Sequence, residues 1–280
     1  MWERLPDLAR ARSDHACCVV RGGTLVALGG SVEPKPALTA SVEVQDTRAA
    51  VEAALSRAEL PQLSRGSCRG SSALVVDENE SEAGQVLLLG GAFAHGQPSS
   101  EVWRVDLATG VCTAQPHLGR ARCGFAAARL PGGRVVSAGG QRGGPGVSAE
   151  IWEPTQGTWS DLPHMSAPRN GAAGCVLSDG RFAVLGGVDA VGGQPSSSWE
   201  ALALDGTERW EPMPPMHQAR CGFAAAAVGG CVIVAGGRGV LGQPALRSVE
   251  VYDEVAGLWR RLQRASDLPR KLCFMGSALL

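Results

Sequence analysis

The chain carries almost no net charge: 26 Lys and Arg stand against 27 Asp and Glu, for a formal charge of −1. That excludes a nonspecific grip on nucleic acid or on an anionic membrane, since both need a basic surface. Long apolar runs are missing as well. No stretch approaches the ~18–20 uninterrupted apolar residues of a membrane span, and the first ten residues, MWERLPDLAR, carry charges where a secretion signal needs an apolar run. The nine cysteines form no CxxC pair and no Cys/His spacing of a zinc site. An odd number of cysteines without a secretion signal points to reduced thiols and a cytoplasmic or nuclear setting. Cys123, Cys175, Cys221 and Cys231 lie among Ala, Gly and Val, as small buried apolar groups do.

What the chain has in excess is glycine. Its 38 glycines exceed the usual ~7% of a globular chain, and without a G-X-Y period they indicate many tight turns and an all-β fold. Hydrophobic residues at 44% and charged residues at 19% leave ample material for a core and no sign of general disorder.

The glycines are periodic. Short apolar runs end in Gly-Gly at Gly29–Gly30, Gly90–Gly91, Gly139–Gly140, Gly186–Gly187 and Gly236–Gly237, in steps of 61, 49, 47 and 50 residues. Periods of this size mark propellers and solenoids. An arginine precedes the pair by 16 or 17 residues at Arg12, Arg122, Arg169 and Arg220, and a tryptophan lies 10 or 11 residues before an arginine at Trp2, Trp159, Trp210 and Trp259, the last of these before Arg270. The segment ARCGFAAA occurs twice, at 121–128 and 219–226. Each period divides into four strands: a small-residue strand after the arginine, the apolar run ending in Gly-Gly, an alternating strand such as SVEVYD, and the Trp strand ending in Pro.

Four hydrophobic residues, a double glycine and then an aromatic and a Trp at set distances resemble the kelch repeat. The resemblance covers nearly the whole chain and implies an all-β, kelch-type β-propeller of about six four-stranded antiparallel blades as a single domain over 1–280. The units fall at 12–63, 64–116, 117–163, 164–215 and 216–262. Segments 1–11 and 263–280 supply the outer and inner strands of a sixth blade whose middle strands are absent, so five blades are expected to be complete and the sixth incomplete. Cys112 replaces the fourth-strand Trp in one unit and Arg57 in another, while the third-strand aromatic is kept as Trp152 and Tyr252 and lost at Gln45 and Val105. Two insertions lengthen the first step: Arg48–Leu60, read as a short helix, and the acidic hairpin loop Asp77–Gly84.

The recurrent arginines Arg12, Arg122, Arg169, Arg220 and Arg270 are the candidate ligand-binding residues, with Arg65 or Arg69 in the second unit. The kelch resemblance implies that arginines at this place in ubiquitin-ligase adaptors grip acidic peptides, and bidentate guanidinium groups suit such a ligand. The other role is structural, each arginine tying down a loop by bonding carbonyls. The expected function is a non-enzymatic scaffold binding a protein or acidic peptide, without cofactor or metal. A carbohydrate-binding or sialate-mutarotase-like propeller is the alternative. A galactose-oxidase-like copper site needs two tyrosines and two histidines, and the chain has one tyrosine. His117, His164 and His217 share a phase and read as exposed loop residues; Cys123, Cys221 and Cys273 share one on the inner strand and read as packing. Neither RGGPG at 142–146 nor VGG at 191–193 is a phosphate loop, since no Gly-Lys-Ser/Thr and no helix follows. No acid–base pair stands out from spacing alone.

Overall fold

In the computed structural model, residues 11–20, 24–32, 39, 42–46, 58–60, 72–77, 85–93, 96–107, 111–140, 146–189, 193–240, 242–262 and 267–272 are described. Trp2, Arg65, Arg69, Arg57 and Cys273 lie outside them, as do residues 1–10, 263–266 and 273–280 of the segments 1–11 and 263–280 on which the incomplete sixth blade was expected. The described residues divide into two compact units, a first ending at Cys123 and a second beginning at Gly124.

The first unit holds two four-stranded sheets. The first blade is built from β2 (Ala16–Val20), β3 (Thr24–Leu28), β5 (Val42–Asp46) and β6 (Ala58–Leu60), in that order. A two-residue pairing of β1 (Arg12–Ser13) with β4 (Ser31–Val32) sits beside it. The second blade runs β7 (Ser72–Asp77), β8 (Gln85–Leu89), β9 (Val102–Asp106) and β10 (Cys112–Gln115). Its inner strand β7 lies next to β2. The helix expected over Arg48–Leu60 is corrected at its end: Ala58–Leu60 is strand, because Leu60 and Ala58 pair with Val42 and Val44 and complete the sheet. The rest of that insertion, and 78–84 of the acidic loop, lie outside the described residues.

The second unit holds three sheets of the same order. They are β11 (Ala126–Arg129), β12 (Val135–Ala138), β13 (Ala149–Glu153) and β14 (Thr158–Leu162); β15 (Ala173–Val176), β16 (Phe182–Leu185), β17 (Trp199–Ala203) and β18 (Arg209–Met213); and β19 (Ala224–Val228), β20 (Cys231–Ala235), β21 (Val249–Asp253) and β22 (Leu258–Arg261). We call these the third, fourth and fifth blades. Their inner strands β11, β15 and β19 are neighbours in that order.

Second-strand residues show why the apolar runs do not alternate with polar ones. Phe182 and Val184 pack toward the third blade with Val136 and Ala138, while Ala183 and Leu185 pack toward the fifth with Val232 and Val234. A strand covered on both faces reads as a continuous apolar run. The double glycine that follows is required by closeness: a Cβ on Gly186 (φ +60°) would stand 2.5 Å from the carbonyl oxygen of Arg220, and one on Gly139 (φ +74°) would stand 2.5 Å from that of Arg169.

The fourth-strand tryptophans pin adjacent blades. Trp259 stacks edge-on against Trp199 at 5.7 Å, and Trp199 meets Tyr252 at 4.9 Å with the rings 82° apart. Both indole N–H groups donate to one acceptor, the carbonyl of Pro214. One repeat earlier Trp210 does the same, donating to Pro163 O at 2.8 Å and packing on Phe182. The proline that ends one blade's outer strand thus supplies the carbonyl that fixes the next blade's indole.

Candidate functional site

The recurrent arginines sit where one blade passes to the next, and both their backbone and their side chains are engaged. In the second unit, the carbonyl of Arg169 accepts from Gly140 N at 2.8 Å and that of Arg220 accepts from Gly187 N at 2.8 Å, each glycine belonging to the preceding blade. The guanidinium turns the other way. Arg169 Nη1 donates to Gly186 O at 3.0 Å and Ser198 O at 2.8 Å, Nη2 to Ser198 Oγ at 3.0 Å, and Nε to Glu200 Oε1 at 3.0 Å. Arg220 repeats this with Gly236 O at 2.7 Å, Ser248 O at 3.0 Å, Ser248 Oγ at 2.8 Å and Glu250 Oε1 at 2.7 Å. In the first unit Arg12 donates to Gly29 O at 3.0 Å and pairs with Glu43. Each of these guanidinium groups therefore closes on the first glycine of its own blade, and the main chains of Arg169 and Arg220 on the second glycine of the blade before.

These groups are interior. Arg122 and Arg220 are 0% exposed and Arg169 is 3% exposed. Burial pulls the Arg220 guanidinium below its ordinary pKa, against the opposing pull of Glu250. A buried cation needs a buried partner, and the partner is a glutamate on the third strand: Glu43, Glu200 and Glu250 in the pairs above, with Glu150 buried at the same place in the third blade. A signal for it was present in the sequence. Ser-x-Glu recurs at Ser41–Glu43, Ser99–Glu101, Ser148–Glu150, Ser198–Glu200 and Ser248–Glu250, in phase with the arginines, and its meaning emerges only when strand three is folded beside the Arg-bearing loop.

Arg270 is a correction. It is exposed and stands two residues before the slot, which Leu272 fills. Gly237 N donates to Leu272 O at 2.8 Å, as Gly187 N donates to Arg220 O, and Leu268 N donates to Arg247 O where Met216 N donates to Ser197 O. Here the slot lies 13 residues after Trp259, against 10 at Trp159–Arg169 and Trp210–Arg220, and the near-normal arginine spacing of 11 concealed the shift.

Beyond each slot residue a glycine links the inner strands within the second unit. Gly171 N donates to Gly124 O at 2.7 Å and Gly222 N to Gly171 O at 2.8 Å. All three have φ near +60°, which explains the recurrent Arg-x-Gly.

One departure from the repeat puts an imidazole on the brace. In the fourth blade Ser166 donates through its N–H and Oγ to Glu200. In the fifth blade His217 takes that place: its N–H donates to Glu250 Oε2 at 2.7 Å, and its Nδ1 lies 3.1 Å from the same oxygen. Gln218 N donates to the other oxygen at 3.1 Å. The Glu250 side chain is fully buried while that of His217 is 54% exposed. His117 and His164 do not share the arrangement, because each stands one residue before the buried Leu118 or Met165, whereas His217 follows the corresponding Met216.

Burial pushes the Cys17, Cys18 and Cys175 thiols up to about 12, which keeps these three protonated. Among the described residues no group of three His, Cys, Asp or Glu side chains could hold a metal ion, and no helix is long and apolar enough to cross a membrane.

Comparison with known proteins agrees with this architecture. A Kelch motif model matches residues 219–264, the fifth blade. The solved structure of YjhT superposes with a TM-score of 0.77 at 14% identity, covering 98% of this chain and 89% of that one. No curated protein matches the sequence. The chain has the fold of a kelch-repeat β-propeller of about six blades. The expectation that the chain is not an enzyme is overturned by the same match: the propeller shared with YjhT is the fold that, by the family resemblance, also carries sialate-mutarotase-like sugar chemistry.

Proposed function

We propose that this chain is a recognition propeller for a protein or peptide ligand, met by the loops that the arginines hold in place and not by the buried guanidinium groups themselves. The observation that carries the reading is the commitment of Arg12, Arg169 and Arg220 to internal glycine carbonyls and glutamates. A ligand carboxylate would have to break a buried ion pair to reach them, at a cost of several kcal/mol. Positive charge for an acidic ligand comes instead from the neighbouring exposed Arg270 and Lys271. The test is a pull-down from cell extract with wild type and an R270A/K271A double variant. Loss of partners from the double variant supports acidic recognition at this loop, and an unchanged partner set removes it.

The second reading is a sugar-active propeller. It is favoured by the pairing of a solvent-facing imidazole with a buried carboxylate at His217 and Glu250.

A further inference from the structure

We propose that Arg247, Arg270 and Lys271 form a binding surface for a phosphomonoester group carried by a protein or peptide; this rests on the reading above that an acidic ligand docks at the Arg270–Lys271 loop. In a repeat protein the features that build the fold recur, so a ligand site is to be sought where one repeat departs from the others. The recurring feature here is a five-residue arch of main chain that ends on each slot residue. Met216 N donates to Ser197 O at 3.0 Å and Arg220 N to Ser196 O at 3.1 Å, so both feet of the arch rest on one loop. The same two bonds recur at 118–122 and 165–169, and again at 268–272, where Leu268 N donates to Arg247 O and Leu272 N to Leu246 O.

The last arch departs from the others in charge. Its middle residues are Pro269, Arg270 and Lys271, where the other three read Gly-Arg-Ala, Ser-Ala-Pro and His-Gln-Ala. Pro269 has no N–H, so it cannot make the bond by which Ser166 and His217 hold a buried glutamate from the same place. The slot holds Leu272 and no arginine, and the foot beneath is Arg247 where the other arches rest on Ser100, Val147 or Ser197. The cation that the other junctions bury is thus absent from the slot, and three exposed cations stand outside it.

Arg247 is also held in place. Its Nε donates to Leu268 O at 2.7 Å while its own carbonyl accepts from Leu268 N at 2.8 Å. Its two Nη groups, and the Arg270 and Lys271 side chains, have no hydrogen-bond or ion-pair partner among the described residues. Asp267, the one acid along 246–247 and 267–272, is half-buried with its Oδ1 turned away from solvent. Three cations against one acid exceed what a single ligand carboxylate neutralises. A phosphomonoester brings a charge of about −1.5 to −2 and three acceptor oxygens, two for the Nη fork of an anchored guanidinium and one for a neighbouring cation. With a net charge of −1 the chain offers no basic track for a phosphodiester strand. Leu272, 41% exposed beside the cations, gives apolar area that a flanking peptide side chain covers and a free phosphate does not.

The experiment measures fluorescence anisotropy with the full chain and degenerate peptide pools that differ only in a central phosphoserine, glutamate or serine. The expected result is that the phosphoserine pool binds about 10-fold or more tightly than the glutamate pool. Arg247→Lys, which keeps the charge and removes the fork, should abolish that preference, and R270A/K271A should weaken both pools. Equal binding of the phosphoserine and glutamate pools, lost in R270A/K271A, overturns the phosphate assignment and leaves acidic recognition standing. No binding of any pool overturns both. Inorganic phosphate that displaces the labelled pool as well as unlabelled phosphopeptide does overturns the peptide assignment, as does an RNA oligonucleotide that binds more tightly than the phosphoserine pool. The comparison of pools on the wild type needs no variant, and unchanged thermal unfolding, expected for exposed side chains, shows that the variants are folded.

Discussion

The first and fifth blades use the same brace but different packing. Arg12 with Gly29 and Glu43 reproduces Arg220 with Gly236 and Glu250. The cluster around the first blade, however, is aliphatic, with Val26, Leu28, Val86, Leu88, Val105 and Leu107 buried and Trp103 only partly so. The cluster shared by the fourth and fifth blades buries Trp199, Tyr252 and Trp259. Cys112 faces Val105 in the second blade, where the fifth blade sets Trp259 against Tyr252. The repeat thus separates into two layers of constraint. Glycine, arginine and glutamate are dictated by backbone geometry and charge and are retained in both regions, whereas the aromatic pins add packing that individual blades can do without.

The largest effect should come from breaking the shared layer. Arg220→Ala leaves Glu250 fully buried without its guanidinium, which costs about 3–5 kcal/mol, and Arg12→Ala should cost a comparable amount if the brace is the common element. Urea unfolding of both variants checks this. A small loss for Arg12→Ala alone would mean that the first blade relies on something else.

The second layer is probed by truncation. Trp199→Ala removes the ring that touches both Tyr252 and Trp259 and should cost about 3–5 kcal/mol. Val105→Ala in the second blade, which deletes two methyl groups from an aliphatic cluster, should cost roughly 1–2 kcal/mol at ~0.8 kcal/mol per buried carbon. Equal losses, measured by the same unfolding, would break the claim that the two regions differ in packing.

The regions also differ in their response to acid. In the first unit His15 is pushed down to about 4, chiefly by burial and secondarily by Arg12, with Glu43 opposing. The unfolded chain takes up this proton as pH falls through about 6.5, and the native chain does so only near 4. The stability tied to a neutral His15 is therefore full above pH 6.5 and is lost as pH falls toward 4, by at most about 3 kcal/mol. His15→Phe should flatten that part of the curve of stability against pH; a curve of unchanged slope would refute the assignment.

How much of this was legible beforehand depends on range. Gly-Gly at the end of an apolar run and Trp ahead of Pro are local patterns, so the blades and the indole pins could be read along the chain. Arginine phase was legible too, but the side-chain direction was not, because Glu200 and Glu250 lie 31 and 30 residues from Arg169 and Arg220. Arg270 misled because a charged residue two positions early resembles the right one, while the slot is defined by main-chain bonds that Leu272 makes equally well. His217 looked like any loop histidine, since its partner is 33 residues away and interior.

The smallest expected effect tests whether burial, and not charge pairing as such, gives the brace its weight. Arg209 and Glu211 form an ion pair of 2.9 Å on the outer strand of the fourth blade, with side chains 53% and 36% exposed. The distance is close to the 2.7 Å of Arg220 and Glu250, whose side chains have no exposure. Water already solvates both outer charges, and Glu211 keeps Arg181 at 2.8 Å when Arg209 is removed. Arg209→Ala should therefore change stability by less than about 0.5 kcal/mol, with any effect fading as salt is raised. A loss of about 2 kcal/mol or more would show that pairing at the blade edge matters as much as pairing inside it, and the two-layer distinction would have to be redrawn with charge contacts in both.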